Sequence, residues 1–341
     1  MKVITPYIEL IEQKPGLDGM YKHIETCGRI CYKSESNENT SAKDFVERLK
    51  KSNHGAMLEH GTIYLDVCMG SPLEDEDYMW KANVVQIFKN NKYSKTNQYY
   101  QTHKLENIGQ EVKLVHYAIT TNWRVICEQI PFDKLGHMRR DKLHGWELGM
   151  ELDYILSFMC EPNEHHEKRY TIKFCSDRGV SAEANRHRAA SPAEQSTRYI
   201  DFSKDKFNNE IKIAANADIS EEDYNKWYNE TELSAKFGFG EIFRAMAKNI
   251  GEHYDDLFGI IDTWYFVNAV CEWGYMRLKK LGWTAQQARR VLPLDLNSEF
   301  VHTAFESDWK HFVDLRSIGT TGKPHPDMKL VADKVKDVLM M

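Results

Sequence analysis

The stretch RHRAASPAEQSTRY occupies residues 186–199 and is the most chemically dense part of the chain. It holds three arginines, one histidine, two serines and one carboxylate within fourteen residues. Guanidinium groups bind phosphate through paired hydrogen bonds, while hydroxyl groups and turn amides orient the anion. The stretch therefore predicts a site for a phosphorylated small molecule. The alternative is a solvated helix end whose arginines pair with nearby acidic side chains.

The segment just before this stretch has the periodicity of a strand followed by a helix. Residues 169–175 alternate between apolar and polar side chains, as a half-buried strand does. A turn is expected at residues 177–179. Ser181 is then predicted to cap a short helix that carries residues 186–188 near its end.

Toward the N-terminus, residues 41–53 predict a helix, because Ser41 and Asp44 form a capping box ahead of an apolar face. The chain then passes through a turn at residues 54–60. Apolar and polar side chains alternate over residues 63–67, which predicts a strand with one buried face.

Toward the C-terminus, apolar residues at spacings of three and four predict a long helix, which a glycine terminates. The elements expected in this part are the long helix at residues 262–281, a short helix capped by Thr284, a strand at 298–303, a helix at 308–316 and a terminal helix at 328–341.

Two polar stretches are predicted to be insertions, at about residues 70–167 and 204–258. The first is expected to be irregular apart from a strand at residues 112–119, where β-forming side chains are concentrated. We therefore predict a single domain that spans residues 1–341. Its fold class is α+β, with a twisted, mainly antiparallel sheet flanked by helices.

Composition limits the partners that this chain can have. Its 341 residues include 45 Lys and Arg against 51 Asp and Glu, so the net charge of −6 provides no general field for nucleic acid or an anionic membrane. No apolar run of about 20 residues is present, and acidic residues and a proline interrupt the N-terminal segment. The seven cysteines contain no Cys-x-x-Cys pair. We expect a cytoplasmic protein with reduced thiols.

The spacing of Arg186, His187 and Arg188, followed after seven residues by Ser196, resembles the signature of the flavin-dependent thymidylate synthases. The resemblance continues within the same stretch at Ser191, Glu194, Arg198 and Tyr199.

Three further sequence segments also resemble this family, and they follow one another along the chain in the same order as in the family. Upstream, residues 54–60 are similar to its short His and Glu-His turn, with Glu59, His60 and Thr62 at matching positions. Downstream, the matching segments are residues 288–293, which read ARRVLP, and residues 311–316, which read HFVDLR.

The resemblance implies an enzyme that converts deoxyuridylate (dUMP) to thymidylate (dTMP), and therefore a methyltransferase of nucleotide biosynthesis. Methylenetetrahydrofolate would supply the one-carbon unit, and NADPH the hydride, through bound FAD. The phosphate groups of dUMP and FAD are anions that would need the arginines, while the flavin would carry out the redox step. The resemblance also implies a homotetramer with sites shared between subunits.

Carried over by position, the resemblance places Glu194, Ser196 and Arg198 around dUMP, and Arg289 at its phosphate or sugar from a neighbouring subunit. Arg316 would hold the uracil ring and stabilise the negative charge that develops on it, an oxyanion-hole role. Arg316 and Ser196 are thus the expected catalytic residues. The residues expected at FAD are His60, Thr62, Arg186, His187, Arg188 and His311.

The chain departs from the family pattern at three positions close to these blocks. Glu183 replaces a Gln, Gln286 replaces a Glu, and Phe305 stands where an Asn is common. A carboxylate at residue 183 beside a bound nucleotide would be protonated or would pair with an arginine.

Two alternative functions remain open at this level. A related flavoenzyme that forms a 5-hydroxymethyl pyrimidine nucleotide would carry the same motifs. A non-enzymatic nucleotide- or nucleic-acid-binding protein would need only the arginines, but the negative net charge argues against it. No metal site is expected from the histidines at residues 54, 60, 165 and 166, because adjacent histidines in regular structure cannot point at one ion.

Overall fold

The structure is a computed structural model in which residues 1–34, 41–70, 77–104, 111–129, 148–230 and 259–341 are described. Its α+β class with mainly antiparallel sheets confirms the predicted fold class. The strands are β1 (Lys2–Ile4), β2 (Tyr7–Ile11), β3 (Thr62–Met69), β4 (Lys95–Lys104), β5 (Glu111–Asn122), β6 (Arg169–Asp177), β7 (Ser191–Glu194), β8 (Lys212–Ala214) and β9 (Asn297–Phe305). The helices are α1 (Gly16–Tyr32), α2 (Ala42–Lys51), α3 (Tyr78–Lys89), α4 (Leu148–Leu156), α5 (Arg178–Ala184), α6 (Glu221–Glu230), α7 (Ile260–Lys280), α8 (Ala285–Ala288), α9 (Glu306–Val313) and α10 (Pro326–Leu339).

The central sheet has the strand order β2-β6-β9-β7, and all of its pairings are antiparallel. The apolar alternation of β6 and β9 places Ile172, Phe174 and Phe300 on one face, where all three are fully buried. Helices α9 and α10 cover this face with Trp309, Phe312, Met328 and Val331. Helix α1 covers the opposite face.

The second sheet has the order β3-β5-β4 and is also antiparallel. Ile63, Leu65 and Val67 of β3 are fully buried, so the predicted alternation is confirmed. Helices α1, α2 and α3 pack on this face. The predicted helix at residues 41–53 is confirmed as α2, whose cap Ser41 accepts a hydrogen bond from the Asp44 amide at 3.1 Å.

The prediction that residues 70–167 are irregular apart from one strand is wrong. This segment contains α3, β4 and α4 besides the predicted strand, which is β5. Strand β4 lies in an Asn- and Tyr-rich stretch, and most of its side chains are exposed or half-buried. It forms because its backbone pairs with β5 along the whole strand, and such pairing requires no apolar alternation.

A third, small sheet pairs β1 with β8 in parallel. It shares an apolar cluster with α7, in which Tyr275 is fully buried. Helix α7 confirms the long helix predicted at residues 262–281, and Thr284 caps α8 as expected. Residues 231–258 of the second predicted insertion lie outside the described residues.

The start of α5 corrects a prediction. Its cap is Asp177, whose Oδ1 accepts a hydrogen bond from the Val180 amide at 2.8 Å, whereas Ser181 lies inside the helix and is buried. Residues 186–188 consequently follow the helix as a turn instead of ending it. In the part of the chain that the structure describes, no helix combines the length and apolar character needed to span a membrane.

Candidate active site

A cleft of about 500 Å³ opens where the turn after α5 meets β9 and α9. Five residues that the sequence assigns to a nucleotide or flavin meet in it, although more than a hundred residues separate the two segments that supply them. They are Arg186, His187, Arg188, His311 and Arg316. The central sheet brings the segments together, because β9 pairs with β7 directly after the first segment and leads into α9.

Arg316 lies at the base of this cleft, in the single π-helical turn Asp314–Ile318 that follows α9. Its Nη1 forms a salt bridge with Oε2 of Glu183 at 2.8 Å, and its Nε donates a hydrogen bond to Nε2 of His187 at 3.0 Å. The carboxylate that departs from the family pattern therefore pairs with an arginine, one of the two outcomes expected for it.

The imidazole of His187 is neutral at pH 7. Burial, and next the charge of Arg316, lower the pKa of His187 to about 4. A neutral ring can accept a hydrogen bond on Nε2, which the contact with Arg316 requires. His187 also packs edge-on against Phe312, with the ring centroids 4.8 Å apart. The ring is thus held on both sides.

His302 is a cleft residue that the sequence did not single out. It is 1% exposed on β9 between the buried Phe300 and Ala304, and burial lowers its pKa to about 3. Its Nε2 lies 3.1 Å from Oδ1 of Asn185, while Nδ1 is buried without a hydrogen bond to a described residue. A histidine at an inward position of an apolar strand is the signal that could have identified it.

The guanidinium groups of Arg186 and Arg188 are exposed at the mouth of the cleft. Neither forms a salt bridge with any carboxylate among the described residues. The alternative interpretation of residues 186–199, in which the arginines pair with nearby acidic side chains, therefore does not apply to these two residues. Two open cations beside a cleft form a ready site for an anionic group.

The residues expected at dUMP form a second group at the end of β7. Glu194 accepts a hydrogen bond from the Ser298 hydroxyl at 2.9 Å and forms a salt bridge with Arg178 at 3.3 Å. The Ser196 hydroxyl accepts from the Arg198 amide at 3.3 Å. The second group is therefore anchored to the central sheet through β9.

Two arginines of this group, Arg198 and Arg289, are exposed and contact neutral side chains. The Nε of Arg198 donates to Oε1 of Gln286 at 3.4 Å, and Nη1 of Arg289 donates to the Thr197 hydroxyl at 3.3 Å. Gln286, where the family has Glu, thus leaves Arg198 with its full charge. An anion would find both guanidinium groups available.

Asn185 links the second group to the cleft. Its Nδ2 lies 3.4 Å from Oε2 of Glu194, and its Oδ1 faces His302. The first contact is long and weak, but together the two place one amide between both sets of residues.

The part of the chain that forms this cleft is similar to a known protein family. A family model described as thymidylate synthase complementing protein matches residues 152–340, which is more than half of the chain. The chain belongs to this family. Membership indicates a thymidylate synthase-like function in nucleotide biosynthesis. A comparison with curated proteins finds no match.

The range matched by the thymidylate synthase complementing family contains the cleft and the second group, but neither His60 nor Thr62. His60 is fully buried, and its Nδ1 lies 2.7 Å from the Thr303 hydroxyl. Burial, and next the neighbouring His23, hold the pKa of His60 well below its usual range. The structure therefore does not bring His60 into the cleft.

Thr62 lines a separate cavity of about 260 Å³ together with His23 and Arg169. Its hydroxyl accepts a hydrogen bond from Nη1 of Arg169 at 3.3 Å. Phe305, where family members often have Asn, is 6% exposed and lies under the same guanidinium at 5.4 Å. Within one chain, the side chains of Thr62 and Phe305 therefore contact Arg169 and lie away from the cleft.

Proposed function

We propose that the protein is a FAD-dependent thymidylate synthase that converts dUMP to dTMP with methylenetetrahydrofolate and NADPH. One observation carries the proposal: in a chain of the thymidylate synthase complementing family, the cleft presents two guanidinium groups, Arg186 and Arg188, that no described carboxylate neutralises, beside the restrained Arg316. A dinucleotide cofactor and a nucleotide substrate both require such cations.

The donor set of the cleft fits the chemistry of FAD. Its pyrophosphate needs cations, which Arg186 and Arg188 would supply from the mouth. His187 and His311 on the cleft wall, with ring centroids 6.4 Å apart, would lie against its ring or ribityl chain. When bound, FAD supplies the hydride transfer that no protein side chain can perform.

In this proposal, dUMP binds at the second group. Arg198 and Arg289 would neutralise its phosphate, since neither has a carboxylate partner among the described residues. Ser196 would add a neutral donor. Glu194, which is already held by Ser298, would accept a hydrogen bond from the sugar or base.

The proposed catalytic function of Arg316 follows from how it is held. Its Nε and Nη1 are occupied by His187 and Glu183, and Nη2 has no hydrogen bond to a described residue. Nη2 could therefore face the pyrimidine oxygens and stabilise negative charge while the ring is reduced and alkylated. A guanidinium fixed before the substrate arrives needs no reorganisation during the reaction.

We further propose a single catalytic domain with insertions at about residues 70–167 and 204–258, assembled as a homotetramer. Sharing sites between subunits would account for the separation of the cavity that Thr62 lines from the cleft, whereas His60 is fully buried within its own chain. Exposed apolar side chains on α7, among them Ile260 and Trp273, are of the kind that subunit interfaces cover.

The mass of the nucleotide product tests this function directly. Purified protein is incubated anaerobically with dUMP, methylenetetrahydrofolate and NADPH, with and without FAD. We expect dTMP only with FAD, greatly reduced product from Arg316→Ala, and normal product from Arg48→Ala, an exposed arginine on α2. A 5-hydroxymethyl product, or no product from folded and flavin-loaded protein, would contradict the proposal.

A further inference from the structure

A cysteine and two histidines meet on the second sheet, outside the candidate active site and outside the range that the family model matches. Cys68 on β3 and His116 on β5 are directly paired in register. His103 reaches them from β4. The sulfur of Cys68 and one ring nitrogen of each histidine lie within 4.8 Å of one another.

The two imidazoles point at each other. The rings of His103 and His116 are nearly coplanar, at an interplanar angle of 5°, and their Nε2 atoms are 2.8 Å apart. His116 is 5% exposed, whereas Cys68 and His103 are half-buried. The buried histidine is thus a fixed ligand position, and the two half-buried residues leave a path from solvent.

Asp66 determines which nitrogen of His116 is available. Its Oδ1 lies 3.0 Å from Nδ1 of His116, and its Oδ2 accepts a hydrogen bond from the Tyr99 hydroxyl at 2.6 Å. A carboxylate at Nδ1 requires that nitrogen to carry the proton, which leaves the lone pair on Nε2. That lone pair faces Nε2 of His103, and the sulfur of Cys68 lies within 4.8 Å of a ring nitrogen of each histidine. Histidines that bind zinc are oriented by the same kind of carboxylate contact.

We propose that Cys68, His103 and His116 bind one Zn²⁺ ion, with Asp66 orienting His116. One thiolate and two imidazoles suit zinc, because its tetrahedral sites combine sulfur and nitrogen ligands. Zinc–nitrogen bonds of about 2.0–2.1 Å at a tetrahedral angle separate two nitrogens by roughly 3.3 Å. The half-buried His103 side chain would have to move by roughly 0.5 Å to give that separation and turn its ring so that both lone pairs meet at the ion instead of facing each other.

The ion would add a second link between the three strands, beside the contacts of Asp66 with His116 and Tyr99. It would also fix β4, whose mostly exposed or half-buried side chains contribute little apolar burial. Three protein ligands leave a fourth coordination position for water or another small ligand. Binding deprotonates the thiol, so zinc affinity should rise with pH.

The test uses the full-length protein, stripped of metal by a chelator and then titrated with Zn²⁺ or Co²⁺. We expect one ion per chain, and with Co²⁺ a thiolate-to-metal charge-transfer band. Cys68→Ser should abolish that band and weaken zinc binding at least about tenfold, and His103→Ala should weaken it similarly. Asp66→Asn should weaken binding about 10- to 100-fold, as loss of an outer contact does.

The controls are Cys271→Ser and His325→Ala, which remove the same residue types on α7 and just before α10. Both should bind zinc as the wild type does. Circular dichroism checks that each variant is folded, and His103 on an edge strand is the position least expected to affect folding. A wild-type protein that binds no stoichiometric zinc overturns the proposal, as does an affinity unchanged in both Cys68→Ser and His103→Ala. The pair would then be a histidine–histidine hydrogen bond only.

Discussion

The Glu183 carboxylate and the Arg316 guanidinium form a salt bridge at 2.8 Å across the base of the cleft. The carboxylate is carried by α5 and the guanidinium by the turn after α9, so the contact joins two segments 133 residues apart. With His187 on Nε, it fixes the plane of the guanidinium. Glu183 is therefore a positioning residue for the proposed reaction.

Replacing Glu183 should lower turnover more than it affects nucleotide binding. Hydrogen bonds to charged groups contribute about 1.5–3 kcal/mol, so Glu183→Ala should reduce kcat about tenfold or more, and Glu183→Gln, which keeps an acceptor, should reduce it less. Steady-state kinetics with varied dUMP separates kcat from KM. Glu222→Gln on the exposed face of α6 is the control. Unchanged kcat in both Glu183 variants would contradict the positioning role.

Substitutions at two arginines should affect nucleotide binding and catalysis separately. Arg198→Ala should raise the Kd for dUMP about tenfold or more, because a charge-assisted contact with the phosphate is lost. Arg316→Ala should mainly lower kcat, since its contact is made with developing charge. Calorimetry gives the first quantity and single-turnover kinetics the second. The residue roles are wrong if neither variant departs from wild type.

Flavin affinity should depend on the two open guanidinium groups. Arg186→Ala and Arg188→Ala should each weaken FAD binding about tenfold, and their effects should shrink at high salt because the contacts are exposed. Flavin fluorescence titration at two salt concentrations measures this. The control is Arg48→Ala on α2, which should bind FAD normally. Wild-type affinity in both cleft variants would place FAD elsewhere.

The Thr303 hydroxyl should be important for stability. It is fully buried and lies 2.7 Å from both Nδ1 of His60 and the hydroxyl of Thr171. Thr303→Val keeps the shape but leaves the buried Nδ1 of His60 without its partner, whereas the Thr171 hydroxyl keeps its contact with Nε2 of His23. The loss at His60 should cost about 2 kcal/mol. Urea unfolding measures the change. The same substitution at the exposed Thr102 of β4 should have little effect, and equal losses at both positions would refute the argument.

Acid should destabilise the protein partly through His302. Its pKa is about 3 when folded and about 6.5 when unfolded, so the unfolded state binds its proton first as pH falls below 6.5. Between pH 7 and pH 5 this costs about 2 kcal/mol of unfolding free energy. His302→Gln should lose about that much less than wild type over the same range. His325→Gln, at an exposed position, should follow the wild-type curve.

The sequence predicted those strands and helices whose buried faces produce a regular pattern of apolar side chains. Strand β3, with its alternation, and α2, with the Ser41 cap, appear as expected. Strand β4 could not be predicted because pairing with β5, and not apolar burial, forms it. The prediction that Ser181 caps α5 is wrong because the start of this helix depends on where β6 ends. Its pairing with β9 extends to Asp177, so the helix begins immediately afterwards.

The candidate site could likewise be predicted from the sequence only in part. The motif at residues 186–188 and Arg316 were both identified from sequence, and the structure brings them into one cleft. The restraint of Arg316 by Glu183, and the contribution of His302 and Asn185, depend on contacts between distant segments. Local patterns carry no information about such contacts.

The contact between His60 and Thr303 joins the two larger sheets, since His60 immediately precedes β3 and Thr303 lies in β9. Arg169 of β6 adds to it by donating to the Glu59 carbonyl at 3.1 Å, and burial lowers the pKa of this guanidinium to about 10. Shortening the chain to residues 152–340, the range that the family model matches, would leave the buried Arg169 guanidinium without its acceptor at residue 59 and Thr303 without His60. We therefore expect the sheet β3-β5-β4 to be needed for stable folding of the matched range, which could not be produced as a shorter protein by itself.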